Sequence, residues 1–270
     1  MKLSFEVKSS SRTVTIELAD DPEWKCYIEC GTCYEPEVVN AMLRFVKPGD
    51  FAIDCGANLG FFTAMLSKLV GPTGEVLAFE PDPKFFPRLQ ANLALNGADN
   101  VQAFDTVLWH QDEEDLNFHL TEKAGYSSVL QFMYGIESSV TVTARSLDSL
   151  VIDDVPFRCI KIDCEGSEER ILHGAERLLR TGVDCVIIEL NPHLMPHMDT
   201  SEAFIRDYMH SLGYDFFLLN PYGDKPMLLR SDETLASLIG EDKYKQFMFN
   251  VLFSTEAKVD KAWSDVSTGS

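Results

Sequence analysis

Asp54 heads a glycine turn, Asp54-Cys55-Gly56-Ala57-Asn58-Leu59-Gly60, and Glu80 closes the next apolar run along the chain. Gly56 and Gly60 let the backbone come close to a ligand, and a helix beginning there presents free N–H groups to it. Carboxylates beside such a turn can pair with a cationic group or accept hydrogen bonds from hydroxyls. Further on, Asp163, Glu165, Glu189 and His193 follow two other apolar runs. Side chains of these types can take a proton from a reacting group. The chemistry on offer is ligand binding at the turn and proton transfer beside it.

The flanking patterns say which elements hold these residues. Phe51-Ala52-Ile53 reads as a strand, and Phe61, Met65, Leu66 and Leu69 follow at helical spacing. Residues 75–80 form a second strand, and Asp82-Pro83 starts a helix that runs to Leu95 and ends at Asn96-Gly97. A third strand begins near Val101, placing Asp105 and Thr106 at its end. Residues 111–145 are less regular, with strands at 116–120 and 140–144 and a Gly125–Ser128 loop suited to a lid. Residues 159–163 and 183–190 are short apolar strands, separated by a helix from Ser167 to Arg180. A helix over 201–212, a strand over 214–219 and a last strand over 246–253 complete the pattern.

Strands alternating with amphipathic helices imply an α/β fold, a doubly wound, Rossmann-like, mainly parallel sheet. In such sheets ligands sit beyond the carboxyl ends of the strands. Asp54, Glu80, Asp105, Asp163 and Glu189 all fall there. Ahead of the domain, alternation at Leu3, Phe5, Val7 and at Val14, Ile16, Leu18 predicts a β-hairpin. Glu35-Pro36 then opens a helix ending at Lys47-Pro48-Gly49. The organisation is a β extension over 1–34, the main domain over 35–255 and a polar, frayed tail over 256–270.

A net charge of −20 repels phosphate backbones, which excludes nucleic acid as an expected partner. No apolar run approaches the roughly 18–20 residues of a membrane span, so no membrane is expected. The first residues lack the apolar core of a signal peptide, and the expected location is the cytoplasm. Seven cysteines, an odd number, argue against a disulfide framework. Cys26, Cys30 and Cys33 match the spacing that holds an iron–sulfur cluster in radical enzymes. Thr32 stands where those enzymes place an aromatic residue, and the open sheet departs from their barrel, so no cluster is expected. A fourth zinc ligand is not evident either.

A nicotinamide dinucleotide carries an anionic pyrophosphate and needs a third glycine where Asp54 stands. An acid there suits S-adenosylmethionine (SAM), whose sulfonium and ammonium groups are cationic. Glu80 then accepts hydrogen bonds from the ribose hydroxyls, and Asp105 and Thr106 lie near the adenine.

Pro48-Gly49-Asp50 leading to the glycine turn, then Phe79-Glu80-Pro81, resembles the FkbM family of SAM-dependent methyltransferases. Ile160-Lys161-Ile162-Asp163-Cys164-Glu165-Gly166-Ser167-Glu168, followed by Leu172-His173-Gly174-Ala175, is similar to that family's second signature. The resemblance covers roughly residues 35–253. It implies a class I methyltransferase fold, a seven-stranded sheet ending in an antiparallel hairpin. It also implies O-methylation of a small-molecule hydroxyl acceptor, a sugar or natural product. Cys55 and Cys164 replace Val-like residues in the two signatures.

The resemblance places the donor at Asp54, Gly56, Ala57, Asn58, Gly60, Glu80, Pro81, Asp105, Thr106 and Asp163. An alcohol reacts poorly until its proton leaves, so a base or a metal is wanted. Asp163, Glu165 and His193 are the catalytic candidates, Asp163 first. Glu165 also suits the N-terminus of the next helix. Asp163, Glu165 and Asn191 could hold Mg²⁺, although a metal-free site is the favoured reading. Transfer to nitrogen, a silent SAM-binding protein and a dinucleotide-dependent oxidoreductase are the competing readings.

Overall fold

The computed structural model describes residues 2–8, 13–19, 34–121, 126–131, 135–151, 155–222 and 224–264. The Cys26, Cys30 and Cys33 pattern and Gly125 lie outside them. β1 (Lys2–Lys8) and β2 (Thr13–Ala19) pair antiparallel, and Val14, Ile16 and Leu18 of β2 are buried. α1 (Pro36–Phe45) carries proline in its first turn and buries Val38, Val39, Met42 and Leu43. β3 (Phe51–Cys55), α2 (Phe61–Val70), β4 (Glu75–Phe79), α3 (Phe86–Leu95) and β5 (Val101–Phe104) follow as strand–helix units. β6 (Val107–Leu108), β7 (Glu113–Thr121) and β8 (Ile136–Arg145) make a separate three-stranded sheet. Then come β9 (Phe157–Ile162), α4 (Glu168–His173), α5 (Glu176–Arg180), β10 (Cys185–Leu190) and α6 (Glu202–Ser211). β11 (Asp215–Leu218), β12 (Met227–Leu229), β13 (Phe249–Ser254) and α7 (Glu256–Trp263) end the described chain.

The main sheet runs β12-β11-β13-β10-β9-β3-β4-β5. Its strands from β10 to β5 are parallel, while β13, β11 and β12 join by antiparallel pairing. This is the doubly wound class I methyltransferase architecture, with the strand order reversing between β3 and β9. That reversal opens a crevice at the carboxyl ends of those two strands. One apolar layer packs the hairpin, α1, α2 and α7 on one face, and α4–α6 cover the other.

Three local expectations are corrected. The sheet has eight strands rather than seven, because β12 adds a three-residue edge too short to show alternation. The helix expected from Ser167 to Arg180 breaks at Gly174. A Cβ there would lie 2.0 Å from the Trp109 carbonyl oxygen, and Asp148 caps the new helix by accepting from the N–H groups of Arg177 and Leu178. The tail does not fray at once: Val259 and Trp263, four apart, bury one face of α7 against the core. Among the described residues no helix is long and apolar enough to cross a membrane.

Candidate functional site

The turn after β3 is pressed against the end of β9. Gly56 has φ +80°, and a Cβ on it would lie 1.8 Å from the Asp163 carbonyl oxygen. Only glycine fits there. Gly56→Ala is expected to abolish donor binding while leaving the rest of the sheet folded, which calorimetry beside circular dichroism would check. The N–H groups of Gly56 and Ala57 donate to the Phe79 carbonyl at 3.0 and 2.9 Å, tying the turn to β4. Asn58, itself left-handed at φ 50°, donates its N–H to Glu80 Oε2 at 2.7 Å. The N–H of Asp82 donates to Glu80 Oε1 at 2.9 Å. Burial pushes the Glu80 carboxyl up to about 7 against the pull of those two bonds.

A cavity of about 610 Å³ opens over the crevice. Of the residues expected to hold the donor or the acceptor, Gly56, Asn58, Glu80, Pro81, Thr106, Asp163 and Glu165 line it. Asp54 does not line it. It lies behind the turn, 1% exposed, with Oδ2 accepting from the Thr63 hydroxyl at 2.6 Å. Its register partner on β9 is Lys161, so its charge is spent inside the sheet rather than on a ligand. Ala57 and Gly60 shape the turn without reaching the wall, and Asp105 is exposed beside Thr106. His193 is also exposed and off the cavity, because Asn191 Oδ1 accepts from its backbone N–H and turns the chain outward.

At the other end of the cavity Asp163, Glu165 and Glu189 converge. One carboxylate oxygen of each lies within 4.8 Å of the others. Glu189 thus joins Asp163 and Glu165, a member that the expected all-oxygen set of Asp163, Glu165 and Asn191 did not include. Burial, then the charge of Asp163, raises Glu165 to about 9 and Glu189 to about 10. The helix-capping role open to Glu165 is taken by Glu168, whose Oε1 accepts from the N–H groups of Cys164 and Gly166. Glu165 is thus left on the cavity wall in a left-handed conformation, φ 50°.

Several residues here escape a reading of the sequence by motif. Lys161 is 3% exposed and donates to Asp163 Oδ2 at 2.8 Å. Burial alone would lower its pKa, but the charges of Asp163, Asp54 and Glu35 outweigh burial and raise it. Its signal was a lone cation inside an apolar strand. Glu35, read only as the start of a helix, lines the cavity with φ 40°, its carboxyl raised by burial to about 7. Ser127 donates to Asp82 Oδ2 at 2.6 Å and Ser128 to the Glu165 carbonyl at 2.8 Å. Those bonds fasten Ser127 and Ser128, which belong to the expected lid loop, beside the cavity.

Comparison with known proteins agrees with this geometry. The family model described as "Methyltransferase FkbM domain" matches residues 54–216, more than half of the chain. Methyltransferase 1 of Beauveria bassiana (strain ARSEF 2860) is 26% identical over 204 residues, spanning 65% of this chain and 80% of that protein. Methyltransferase sdnD of Sordaria araneosa is 25% identical over 158 residues, 47% of this chain and 60% of its own length. Among solved structures, a SAM-dependent methyltransferase from Aquifex aeolicus aligns with a TM-score of 0.43 at 16% identity, over 87% of this chain and 93% of that one. A SAM-dependent O-methyltransferase from Thermotoga maritima aligns with a TM-score of 0.44 at 14% identity, over 93% and 77%. With the glycine turn, Glu80 and the β9 signature arranged around one crevice, the chain belongs to the FkbM family of methyltransferases.

Proposed function

We propose that the protein moves a methyl group from SAM to a hydroxyl of a small molecule with an apolar body. The observation carrying this reading is the meeting of Asp163, Glu165 and Glu189 on the cavity wall beside the glycine turn. SAM fits the turn itself and the ends of β4 and β5. Asn58 Oδ1 is buried without a hydrogen-bond partner among the described residues, an acceptor suited to an ammonium group. Glu80 offers its carboxylate to ribose hydroxyls, and Thr106 stands beyond β5 for the base. A pyrophosphate would instead face carboxylates at both ends.

When bound, SAM supplies an electrophilic methyl on a sulfonium, and in-line transfer then depends on positioning. Lys161 orients Asp163 toward the cavity. In the ligand-free protein burial keeps Glu189 and Glu165 protonated. Beside the cationic sulfonium of bound SAM their ionised form is favoured, and it would take the hydroxyl proton as the bond to carbon forms. Phe118 and Val129, with the exposed Tyr126 and Met248, make an apolar rim for the rest of the acceptor. The same three carboxylates also form an all-oxygen set that could hold Mg²⁺. Loss of turnover after EDTA, restored by Mg²⁺, would favour that second route. Unchanged turnover would leave the carboxylates acting on the acceptor directly.

The test is calorimetric titration with SAM, its demethylated product and NAD. A screen of sugars and hydroxylated natural products with methyl-labelled SAM follows. Binding of SAM and its product, with label on an acceptor oxygen, is the expected result. Binding of NAD in place of SAM would end the reading, and label on nitrogen would redirect it.

A further inference from the structure

Among the described residues the outer edge of β2 meets no further strand. Two asparagines spaced one helical turn apart, Asn92 on α3 and Asn96 just beyond it, satisfy its backbone instead. Asn96 Oδ1 accepts from the Glu17 N–H at 3.0 Å, and its Nδ2 donates to the Glu17 carbonyl at 2.6 Å. Asn92 Oδ1 accepts from the Ala19 N–H at 2.8 Å. The other end of the Asn92 amide points the opposite way: Nδ2 donates to the Leu59 carbonyl at 2.7 Å. Leu59 is part of the glycine turn, between Asn58 at φ 50° and Gly60 at φ +88°. One side chain, 2% exposed, therefore joins the N-terminal hairpin to the turn that lines the cavity.

We propose that Asn92 is a positioning residue for the methyl donor, and that through it the hairpin is part of the donor site. The proposal rests on the reading that the glycine turn holds SAM. A turn with three left-handed residues in five has few backbone bonds of its own, so each fixed carbonyl matters. Fixing Leu59 from behind holds the preceding Asn58, whose N–H meets Glu80 and whose side chain lines the cavity. The bridge needs a group that accepts on one side and donates on the other, which an amide supplies and a carboxylate does not. The signal in the sequence is the Asn92-x3-Asn96 spacing, read there only as the end of a helix. The hairpin lies outside the matched residues 54–216, so its part in donor binding is not contained in the family match.

The test measures SAM affinity by calorimetry on the full chain, with thermal unfolding in parallel. Asn92→Asp keeps the acceptor for Ala19 and loses the donor for Leu59; Asn92→Ser, smaller and uncharged, guards against a failure to fold. Each is expected to weaken SAM about tenfold, the order set by one lost hydrogen bond in a preorganised site. Asn96→Ala removes the two bonds to Glu17 but leaves Asn92 tied to both Ala19 and Leu59. It is expected to lower the melting temperature and to keep SAM affinity within about twofold. Folded Asn92 variants that bind SAM like the wild type would overturn the proposal, as would an equal loss in Asn96→Ala. A wild type that binds no SAM would instead overturn the donor reading, and the bridge with it.

Discussion

Glu189→Gln is expected to make the ligand-free protein more stable and to stop its turnover. In the empty cavity the Glu189 carboxyl is held up to about 10, first by burial and then by the charges of Asp163, Glu35 and Glu165. In the unfolded chain it ionises near 4.5. A carboxyl raised on folding contributes stability that is complete below its unfolded value and lost as pH rises toward the folded one. At pH 7.5 keeping the proton costs up to about 4 kcal/mol at 1.36 kcal/mol per unit, and partial exposure to solvent trims this to about 1–3 kcal/mol. Glutamine fills the same space without that cost. Urea unfolding should therefore show the variant more stable than the wild type by about 1–3 kcal/mol at pH 7.5, with the gain gone by pH 4.5. Turnover should fall about 10²–10⁴-fold if the cation of bound SAM ionises this side chain and it then takes the hydroxyl proton. A variant less stable than the wild type at pH 7.5 would show that the three carboxylates do not burden one another. Stability gained where activity is lost marks a residue kept for function rather than folding.

The parts of this site that were legible in the sequence are those whose signal is local. Gly56 and Gly60 announce a turn because no other residue takes their backbone angles, and Glu80 and Asp163 announce themselves by ending apolar strands. Such signals place a residue at the correct edge of the sheet, but they do not say which way its side chain faces. Asp54 shows the difference: it stands one residue from the end of β3, yet its side chain accepts from Thr63 and its register partner is Lys161. The charge argument that first suggested SAM therefore does not act through Asp54. Acceptor oxygens on the cavity wall, Asn58 Oδ1 and the Glu80 and Asp163 carboxyls, are placed to meet a cation instead. Glu35 was unreadable because its role depends on a contact across 126–154 positions of sequence, with Lys161 and Glu189. The break at Gly174 was hidden for a similar reason, being decided by the distant Trp109 carbonyl, whereas β12, paired with the nearby β11, is simply too short to show alternation.

Lys161→Met is expected to cost about 3–5 kcal/mol of unfolding free energy, the usual price of leaving buried charge without its partner. Lys161 is the cation shared by Asp163, Asp54 and Glu35, with its ammonium also 4.8 Å from the centre of the Phe62 ring. Methionine keeps the length of the side chain and the contact with that ring, so the loss isolates charge from packing. Asp54→Asn alone should change stability by less than about 1 kcal/mol, since an amide oxygen still accepts from Thr63. Added to Lys161→Met, it should restore about 1–2 kcal/mol, because the two sites are in one network and their effects do not add. Urea unfolding of the four proteins closes the cycle. If Lys161→Met proves as stable as the wild type, the internal counter-ion is unnecessary to the fold. If it is destabilised but Asp54→Asn restores nothing, the charge that matters is Asp163, and Lys161 serves the cavity rather than the sheet. Donor affinity separates these further: only in the second case should Lys161→Met, once folded, lose SAM binding in step with the freedom of the Asp163 carboxylate.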